Sequence, residues 1–155
     1  MVEEGKEAPD FELPSEDGGT VRLSSLRGRW VVLYFYPKDD TAGCTRQACG
    51  IRDAWQEIEQ QEAVVLGVSP DPPDSHQRFK AKYGLPFTLL SDAEHAVAEA
   101  YGVWVEKTMY GKKRMGIERS TFVIAPDGTV RKALRRINPD THADEVLAAL
   151  RGTST

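Results

Sequence analysis

The sequence predicts an α/β protein with a central mixed sheet, helices on both faces of that sheet and a β-hairpin at the N-terminus. Three observations predict this class. Apolar, β-branched runs alternate with amphipathic segments, as strands alternate with helices in such folds. Short runs joined by Gly-containing turns lie near both ends of the chain and indicate antiparallel hairpins. The length of 155 residues fits one domain, so we expect a single domain over residues 1–155.

The predicted strands are runs of apolar and β-branched residues that stop at turn residues. The run from Trp30 to Tyr36 suits a central strand that is buried on both faces of the sheet. The full set, in chain order, is Ala8–Leu13 paired with Thr20–Leu23 in the first hairpin, then Trp30–Tyr36, Ala63–Val68, Phe87–Leu90, and Ser120–Ile124 paired with Thr129–Leu134 in a second hairpin.

The predicted helices are segments in which apolar residues recur at spacings of three and four. One helix begins near Ala42 or Gly43 and carries an inward stripe formed by Ala48, Ile51, Trp55 and Ile58. The others are Asp74–Tyr83, Asp92–Tyr101 and Asp140–Leu150. The stretch 103–116 is rich in Lys and Arg and gives no clear prediction.

Composition and charge argue against several classes of function. A formal net charge of −4 argues against a nucleic-acid-binding protein, and no apolar run is long enough to span a membrane. The first residues are acidic and lack the basic-then-apolar layout of a signal peptide, so we expect a cytoplasmic protein. In that compartment, two cysteines are more often catalytic, redox-sensing or metal-binding than a structural disulfide.

The two cysteines, Cys44 and Cys49, lie where an apolar strand ends and an amphipathic helix begins. With the hydroxyl of Thr41 as the helix cap, Cys44 falls in the first turn. There, unpaired backbone N–H groups and the helix dipole stabilise a thiolate. Free cysteines are usually small buried apolar residues, but the flanking Pro37, Thr41 and Gly43 favour a reactive thiol.

Helix geometry keeps Cys49, the second thiol, away from Cys44. Five residues along an ideal helix give a rise of about 7.5 Å and place the two Cα atoms roughly 8.6 Å apart. A disulfide needs a separation of about 7 Å or less, so the bond cannot form while the helix is intact. Either Cys49 is an inert bystander, or the first turns unwind during turnover. Gly43 and Gly50 weaken the helix on both sides of this segment.

Metal binding, Cys–His catalysis and disulfide reduction are alternative interpretations of the cysteines. Two thiols supply half of a tetrahedral metal site, and the three histidines have no ligand spacing. We expect His76 and His142 to be solvated residues at helix starts and His95 to lie in a charged turn. No histidine is nominated as the partner of a nucleophilic cysteine. A thioredoxin-type reductase is disfavoured because its cysteines are three residues apart.

The spacing Pro37-x-x-x-Thr41-x-x-Cys44 is also a family motif. With it the chain resembles the peroxiredoxins, and specifically the bacterioferritin comigratory protein (Q-type) subfamily, over nearly its whole length. Further matching segments are Ala8–Phe11, Tyr34–Lys38, Gly43–Thr45, Ala48–Gly50, Arg52–Asp53, Phe87–Asp92, Tyr101–Trp104 and Arg119–Phe122. The family usually has proline where this chain has Ala42, and we therefore expect the loop before Cys44 to be freer.

The resemblance implies a thioredoxin-like fold and a peroxidase reaction without a metal or flavin cofactor. Cys44 would be the peroxidatic cysteine, attacking the O–O bond and becoming a sulfenic acid. Thr41 would hydrogen-bond the thiolate and the peroxide, and Pro37 would shield the pocket from water. Arg119 would stabilise the thiolate and the leaving oxygen. Cys49 would resolve the sulfenic acid as an intramolecular disulfide, which a thioredoxin-type donor reduces.

The predicted function is a thiol-dependent peroxidase that acts on hydrogen peroxide and organic hydroperoxides and is recycled by thioredoxin or a similar dithiol reductant. Arg46 is a second cation that could reach the sulfur of Cys44. The alternative function is a peroxide-sensing redox-signalling protein that uses the same cysteine without turnover. The resemblance also leans towards a monomer, and we expect neither nucleic acid nor a membrane as a partner.

Overall fold

The structure is a computed structural model that describes residues 2–152. Its strands are β1 (Glu12–Pro14), β2 (Thr20–Arg22), β3 (Trp30–Phe35), β4 (Ala63–Ser69), β5 (Thr88–Ser91), β6 (Trp104–Met109), β7 (Lys112–Ile117), β8 (Ser120–Ile124) and β9 (Val130–Leu134). Its α-helices are α1 (Ala42–Asp53), α2 (Trp55–Gln60), α3 (Pro73–Tyr83), α4 (Ala96–Ala100) and α5 (His142–Gly152). Met1 and residues 153–155 of the predicted domain lie outside the described part of the chain.

The central sheet has the strand order β5-β4-β3-β8-β9. Strands β3, β4 and β5 are parallel, whereas β8 is antiparallel to both β3 and β9, so the sheet is mixed as predicted. β3 lies in the middle of the sheet, and its residues from Val31 to Phe35 are all buried. A strand that is covered on both faces buries every side chain, which explains its uninterrupted apolar sequence.

Successive side chains of β3 point to opposite faces of the sheet and enter two separate cores. Leu33 belongs to the core that includes the N-terminal segment and α4. Tyr34 belongs to the core on the other face, which holds Cys44 and the buried side of α1. On that second face α1 packs beside α5, where Gly50 approaches Ala143. The second face therefore carries Cys44, the predicted reactive thiol.

Two antiparallel hairpins flank the central sheet. The pairing of β1 with β2 confirms the predicted N-terminal hairpin. The predicted hairpin of β8 and β9 is confirmed within the central sheet. The stretch 103–116, which has no clear prediction, forms most of a further hairpin between β6 and β7. Most side chains of β7 are exposed, so this segment lacks the alternation of apolar and polar residues by which strands are recognised.

The predicted helix that was to run through Ile58 is interrupted. Ala54 leaves the helical conformation, with φ −95° and ψ 8°. As a result α1 ends at Asp53, and the separate helix α2 begins at Trp55. The apolar periodicity continues across the break, which is why the sequence predicts a single helix.

The predicted helix over residues 92–101 is reduced to the five residues of α4. His95 adopts the left-handed conformation, with φ 55°, immediately before α4. The Asp92 carboxylate accepts hydrogen bonds from the amides of Val97 and Ala98, so it caps the short helix rather than joining it. Within residues 2–152, no helix combines the length and apolar character that crossing a membrane requires.

Candidate active site

Cys44 is the third residue of α1 and is buried, with 2% of its surface exposed. Thr41 precedes the helix, and its carbonyl accepts the hydrogen bond of the Thr45 amide at 2.8 Å. The amides of the first turn have no helical partner, and that turn contains no acidic side chain. Both features favour a negative charge on the Cys44 sulfur.

The guanidinium of Arg119, the residue before β8, packs against the first turn of α1. Its Nη1 donates a hydrogen bond to Gln47 Oε1 at 2.5 Å. Its Nη2 comes within 3.2 Å of the point where a Cβ on Gly43 would lie. Positions 43 and 47 are four apart and therefore share a helix face. A fixed positive charge thus lies beside the turn that carries the buried thiol, and glycine at position 43 leaves room for it.

Two neighbouring side chains respond to the charges of both Cys44 and Arg119. Burial, followed by the charge of Cys44, raises the pKa of Tyr34 well above its usual value, and the charge of Arg119 opposes the rise. Burial, followed by the charge of Arg119, lowers the pKa of Lys107, and the charge of Cys44 opposes that change. The thiol and the guanidinium therefore share one electrostatic neighbourhood, which Lys107 of β6 borders.

A chain of buried hydrogen bonds leads from Arg119 into the core. Gln47 Nε2 lies 3.2 Å from His142 Nδ1, and His142 Nε2 lies 2.7 Å from Thr121 Oγ1. The residues Gln47, Thr121 and His142 have no exposed surface. Burial, followed by the charge of Arg119, lowers the pKa of His142 to about 3, so the imidazole is neutral at neutral pH. The predicted solvation of His142 is wrong, because the first residue of α5 lies on its buried face.

The loop between β3 and α1 is anchored by the buried carboxylate of Asp39. This carboxylate accepts hydrogen bonds from the hydroxyls of Tyr36 at 2.5 Å and Ser75 at 2.8 Å, and it lies 2.6 Å from His76 Nδ1. The Asp39 amide donates to Asp71 Oδ2 at 2.7 Å. His76 is fully buried, so its predicted solvation is wrong as well.

The same anchor contains atoms of the kind that bind metal ions. One such atom from each of Asp39, Asp71 and His76 lies within 4.8 Å of the others. Each of the three side chains is engaged in hydrogen bonds within the protein. We therefore interpret the group as a structural anchor that attaches the loop to α3.

Thr41 and Pro37 lie on this loop. Thr41 occupies the N-cap position as predicted, but its hydroxyl makes no cap hydrogen bond and donates to the Lys38 carbonyl at 2.9 Å. The predicted side-chain cap is therefore wrong, whereas the predicted start of the helix at Ala42 is confirmed. Thr41 is exposed, and the lone pairs of its hydroxyl stay available to accept a hydrogen bond. Pro37 is half-buried directly after β3.

Cys49 is half-buried within α1, and both cysteines are free thiols. The helix is continuous from Ala42 to Asp53, so the Cα atoms of the two cysteines have the separation expected for an ideal helix. Arg52 donates through Nη1 to the Tyr83 carbonyl at 2.7 Å and thereby attaches the end of α1 to the end of α3. A disulfide between the cysteines requires this part of α1 to unwind.

Arg46 and His95 point to other parts of the molecule. Arg46 is exposed, and its Nε donates to Asp140 Oδ1 at 2.7 Å, two residues before α5. The ring of His95 stacks on Trp104 with a centroid distance of 3.8 Å. Arg119 rather than Arg46 is the cation that packs on the first turn of α1.

Comparison with known proteins places the chain in a family. The model of the AhpC/TSA family matches residues 4–133. Peroxiredoxin Bcp of Bacillus subtilis is 48% identical over 153 residues, which cover 99% of this chain and 98% of the relative. Peroxiredoxin Bcp of Escherichia coli is 46% identical over 143 residues, which cover 92% of each chain. The chain belongs to the AhpC/TSA family of peroxiredoxins.

Solved peroxiredoxin structures have the same fold. The bacterioferritin comigratory protein of Xanthomonas campestris matches with a TM-score of 0.91 at 41% identity, covering 100% of this chain and 99% of that chain. A PrxQ variant from Xylella fastidiosa matches with a TM-score of 0.94 at 36% identity and the same coverage. The thioredoxin-like fold and the subfamily resemblance are confirmed. As a peroxiredoxin, the chain is a thiol peroxidase with a peroxide as substrate and a thiol as reductant.

Two residues of this peroxiredoxin site, Gln47 and His142, were missed by sequence reasoning. Gln47 lies three residues after Cys44 on the buried stripe of α1, a spacing that the sequence displays. His142 precedes Val146 and Leu150 by four and eight residues, and both of these are buried. The same helical periodicity would have placed His142 on the inner face of α5.

Proposed function

We propose that this peroxiredoxin reduces hydrogen peroxide and organic hydroperoxides through Cys44, that Cys49 of the same chain resolves the oxidised cysteine, and that thioredoxin or a similar dithiol recycles the enzyme. The observation that carries the proposal is the position of Cys44, a buried thiol in the first turn of α1 beside the Arg119 guanidinium. Unpaired helix amides and a fixed cation both favour the thiolate, which is the nucleophilic form.

In the first step the Cys44 thiolate attacks one oxygen of the peroxide. The S–O bond forms as the O–O bond breaks, and the second oxygen leaves as hydroxide or alkoxide, which takes up a proton from solvent. The product on the protein is a sulfenic acid. Arg119 stabilises the thiolate and the charge on the leaving oxygen, because a guanidinium is always protonated and offers several donors. The Thr41 hydroxyl binds the incoming peroxide, and Pro37 limits the access of water.

In the second step the thiolate of Cys49 attacks the Cys44 sulfur. The S–S bond forms, the S–O bond breaks and hydroxide leaves as water after protonation. The ideal-helix separation of roughly 8.6 Å requires the middle of α1 to unwind first. A dithiol then reduces the disulfide by two exchange steps and restores both thiols.

The test is peroxide consumption with thioredoxin and its reductase as the recycling system. Wild type is compared with Cys44→Ser and Cys49→Ser. We expect wild type to turn over, Cys44→Ser to be inactive and Cys49→Ser to consume one equivalent of peroxide. Continued turnover by Cys49→Ser would mean that an external thiol resolves the sulfenic acid. A wild type that stops after one equivalent would favour the peroxide-sensing alternative.

The proposal also includes a single domain, a monomer and a cytoplasmic location. The two cores share one sheet, so unfolding of either core disrupts the other. Thermal unfolding should give one transition, and light scattering should give the mass of one chain in both the dithiol and disulfide forms. Two separate transitions would contradict the single domain, and a stable dimer mass would contradict the monomer.

A further inference from the structure

We propose that His142 is a positioning residue for the peroxidase reaction, because it fixes the Gln47 amide that holds Arg119 against the first turn of α1. The inference rests on the proposed role of Arg119 and extends it to a residue of α5. His142 itself does not contact the reacting atoms. It acts at a distance of two hydrogen bonds from the guanidinium.

The two ends of the Gln47 amide are not interchangeable. A guanidinium has only donors, so the group that faces Arg119 Nη1 must be the amide oxygen. The NH₂ group of Gln47 therefore faces His142 Nδ1 at 3.2 Å. This nitrogen must accept a hydrogen bond, which requires that it carry no proton.

The other ring nitrogen of His142, Nε2, faces Thr121. With Nδ1 as an acceptor, the single proton of the neutral imidazole is on Nε2 and is donated to Thr121 Oγ1 at 2.7 Å. The ring is held from both sides, and it also packs against Tyr34 with a centroid distance of 5.2 Å. Since Gln47, Thr121 and His142 are fully buried, water does not replace a lost partner without rearrangement.

Loss of the His142 acceptor affects Arg119 through the hydrogen bonds of Gln47. Without an acceptor at the Nδ1 position, the NH₂ group of Gln47 is buried and unpaired, and the amide turns to find another partner. The oxygen then no longer faces Arg119, and the guanidinium loses a fixed contact beside Cys44. The thiolate becomes less stable, and the leaving oxygen is less well stabilised in the transition state.

The test compares His142→Leu with His142→Asn, both in a Cys49→Ser background so that only the Cys44 step is measured. Asparagine keeps an acceptor oxygen near the Nδ1 position, whereas leucine removes it. Two quantities are measured: the pH dependence of Cys44 alkylation by iodoacetamide, and the rate of the first turnover with hydrogen peroxide. For His142→Leu we expect the apparent thiol pKa to rise by about one unit and the first turnover to slow about tenfold. His142→Asn should remain close to the His142 parent in both measurements.

A double-mutant cycle separates this role from general packing. If His142 acts through Gln47, then His142→Leu causes no further change in thiol titration or first turnover once Gln47→Met is present. Additive effects of the two substitutions would overturn the proposal, as would a folded His142→Leu variant with the parent's titration and rate. Should His142→Leu not fold, His142→Met and Gln47→Met replace it, because the first also removes the Nδ1 acceptor and the second removes the amide that contacts Arg119. A folded variant of either kind with the parent's titration and rate would then overturn the proposal. Loss of peroxide reaction in the Cys49→Ser parent would instead contradict the proposed function.

Discussion

Among single residues, Gly43 shows how closely the Arg119 guanidinium approaches α1. A Cβ at this position would lie 3.2 Å from Arg119 Nη2 and 3.7 Å from Pro139 Cγ. The nearest neighbour is the end of a flexible side chain, so a methyl group is accommodated by displacement of the guanidinium. Stability and activity therefore respond to this position in opposite directions.

For Gly43→Ala we expect a higher melting temperature, because alanine stabilises a helix by roughly 0.5–1 kcal/mol relative to glycine. We also expect a slower first turnover, because Arg119 is displaced. The matched control is Gly50→Ala in the same helix, where the new Cβ would make an ordinary contact of 3.8 Å with Ala143. Equal first-turnover rates for the two variants would contradict the proposed role of Arg119.

Substitution of Arg119 tests the proposed role of its guanidinium directly. Arg119→Met should slow the first turnover by about a hundredfold, the usual magnitude for loss of one fixed donor to a developing oxyanion. Arg119→Lys should recover only part of the rate, because an ammonium cannot reproduce the planar set of donors. Arg22→Met, in the exposed pair with Glu12, is the control and should not change the rate. Stopped-flow measurement of sulfenic acid formation provides the readout.

The residues of the site differ in how far sequence could predict them. Pro37, Thr41 and Cys44 lie within one short segment, so the family motif in that segment marks them. Arg119 was placed by family resemblance, and its packing on Gly43 is a tertiary contact. The partner of Gln47 is 95 residues away on α5, and no local pattern reports such a pairing. The roles of Asp39 and His76 likewise depend on contacts between distant segments.

Among the elements, α1 has two tasks that conflict. In the proposed mechanism it must be folded to hold Cys44 beside Arg119, and it must unwind to bring the two thiols together. Arg52 fixes its C-terminal end to the Tyr83 carbonyl, and Arg46 fixes its outer side to Asp140. We expect the strength of these two attachments to set how often α1 opens.

Arg52→Met should accelerate disulfide formation several-fold, because it removes a charged donor bonded to the Tyr83 carbonyl. The first turnover should stay unchanged, and over-oxidation at high peroxide should decrease. Arg78→Met on α3, which breaks an exposed pair with Asp74, is the matched control. Mass spectrometry of quenched samples gives the disulfide and sulfinic acid fractions. An unchanged rate of disulfide formation would mean that Arg52 does not limit unwinding.

Ala42 is the first residue of α1, the position in a helix that accepts proline most readily. Ala42→Pro should therefore retain peroxidase activity in the assay with thioredoxin. Its proline ring reduces the freedom of the loop before Cys44 and removes no helical hydrogen bond. Loss of activity in a folded Ala42→Pro variant would refute this reading of the departure from the family motif.

At the scale of the whole molecule, His142 links stability to pH. Its pKa is lowered from 6.5 to about 3 in the folded chain, mainly by burial and then by the charge of Arg119. The unfolded chain therefore binds the proton more readily than the folded chain. The contribution of His142 to the free energy of unfolding is fully present above pH 6.5 and is lost as pH falls towards 3.

Wild type should lose about 2 kcal/mol of unfolding free energy through His142 between pH 7.5 and pH 5. A His142→Asn variant lacks the titrating group and should lose correspondingly less over the same interval. Urea unfolding at the two pH values measures the difference, and other titrating groups cancel in the comparison. Parallel pH dependences for wild type and His142→Asn would show that the imidazole does not titrate in this way.

The fold as a whole was more accessible to prediction than the site. Strands such as β3 and β4 are buried on both faces, so their almost continuous apolar sequences predict them. The hairpin of β6 and β7 was missed because most of β7 faces solvent. The break at Ala54 was missed because the apolar spacing of three and four residues continues from α1 into α2. Prediction succeeded where the local pattern of apolar residues reflects burial, and it failed where contacts between distant segments decide the conformation.

The break at Ala54 has an optical consequence. Trp55 begins α2 directly beyond it, and its indole packs on Phe87 with a centroid distance of 6.1 Å. The other two tryptophans, Trp30 and Trp104, lie on β3 and β6. Any movement of the end of α1 is transmitted to Trp55 through a single residue. We therefore expect the intrinsic fluorescence of this indole to change as the helix opens and closes, without an attached dye.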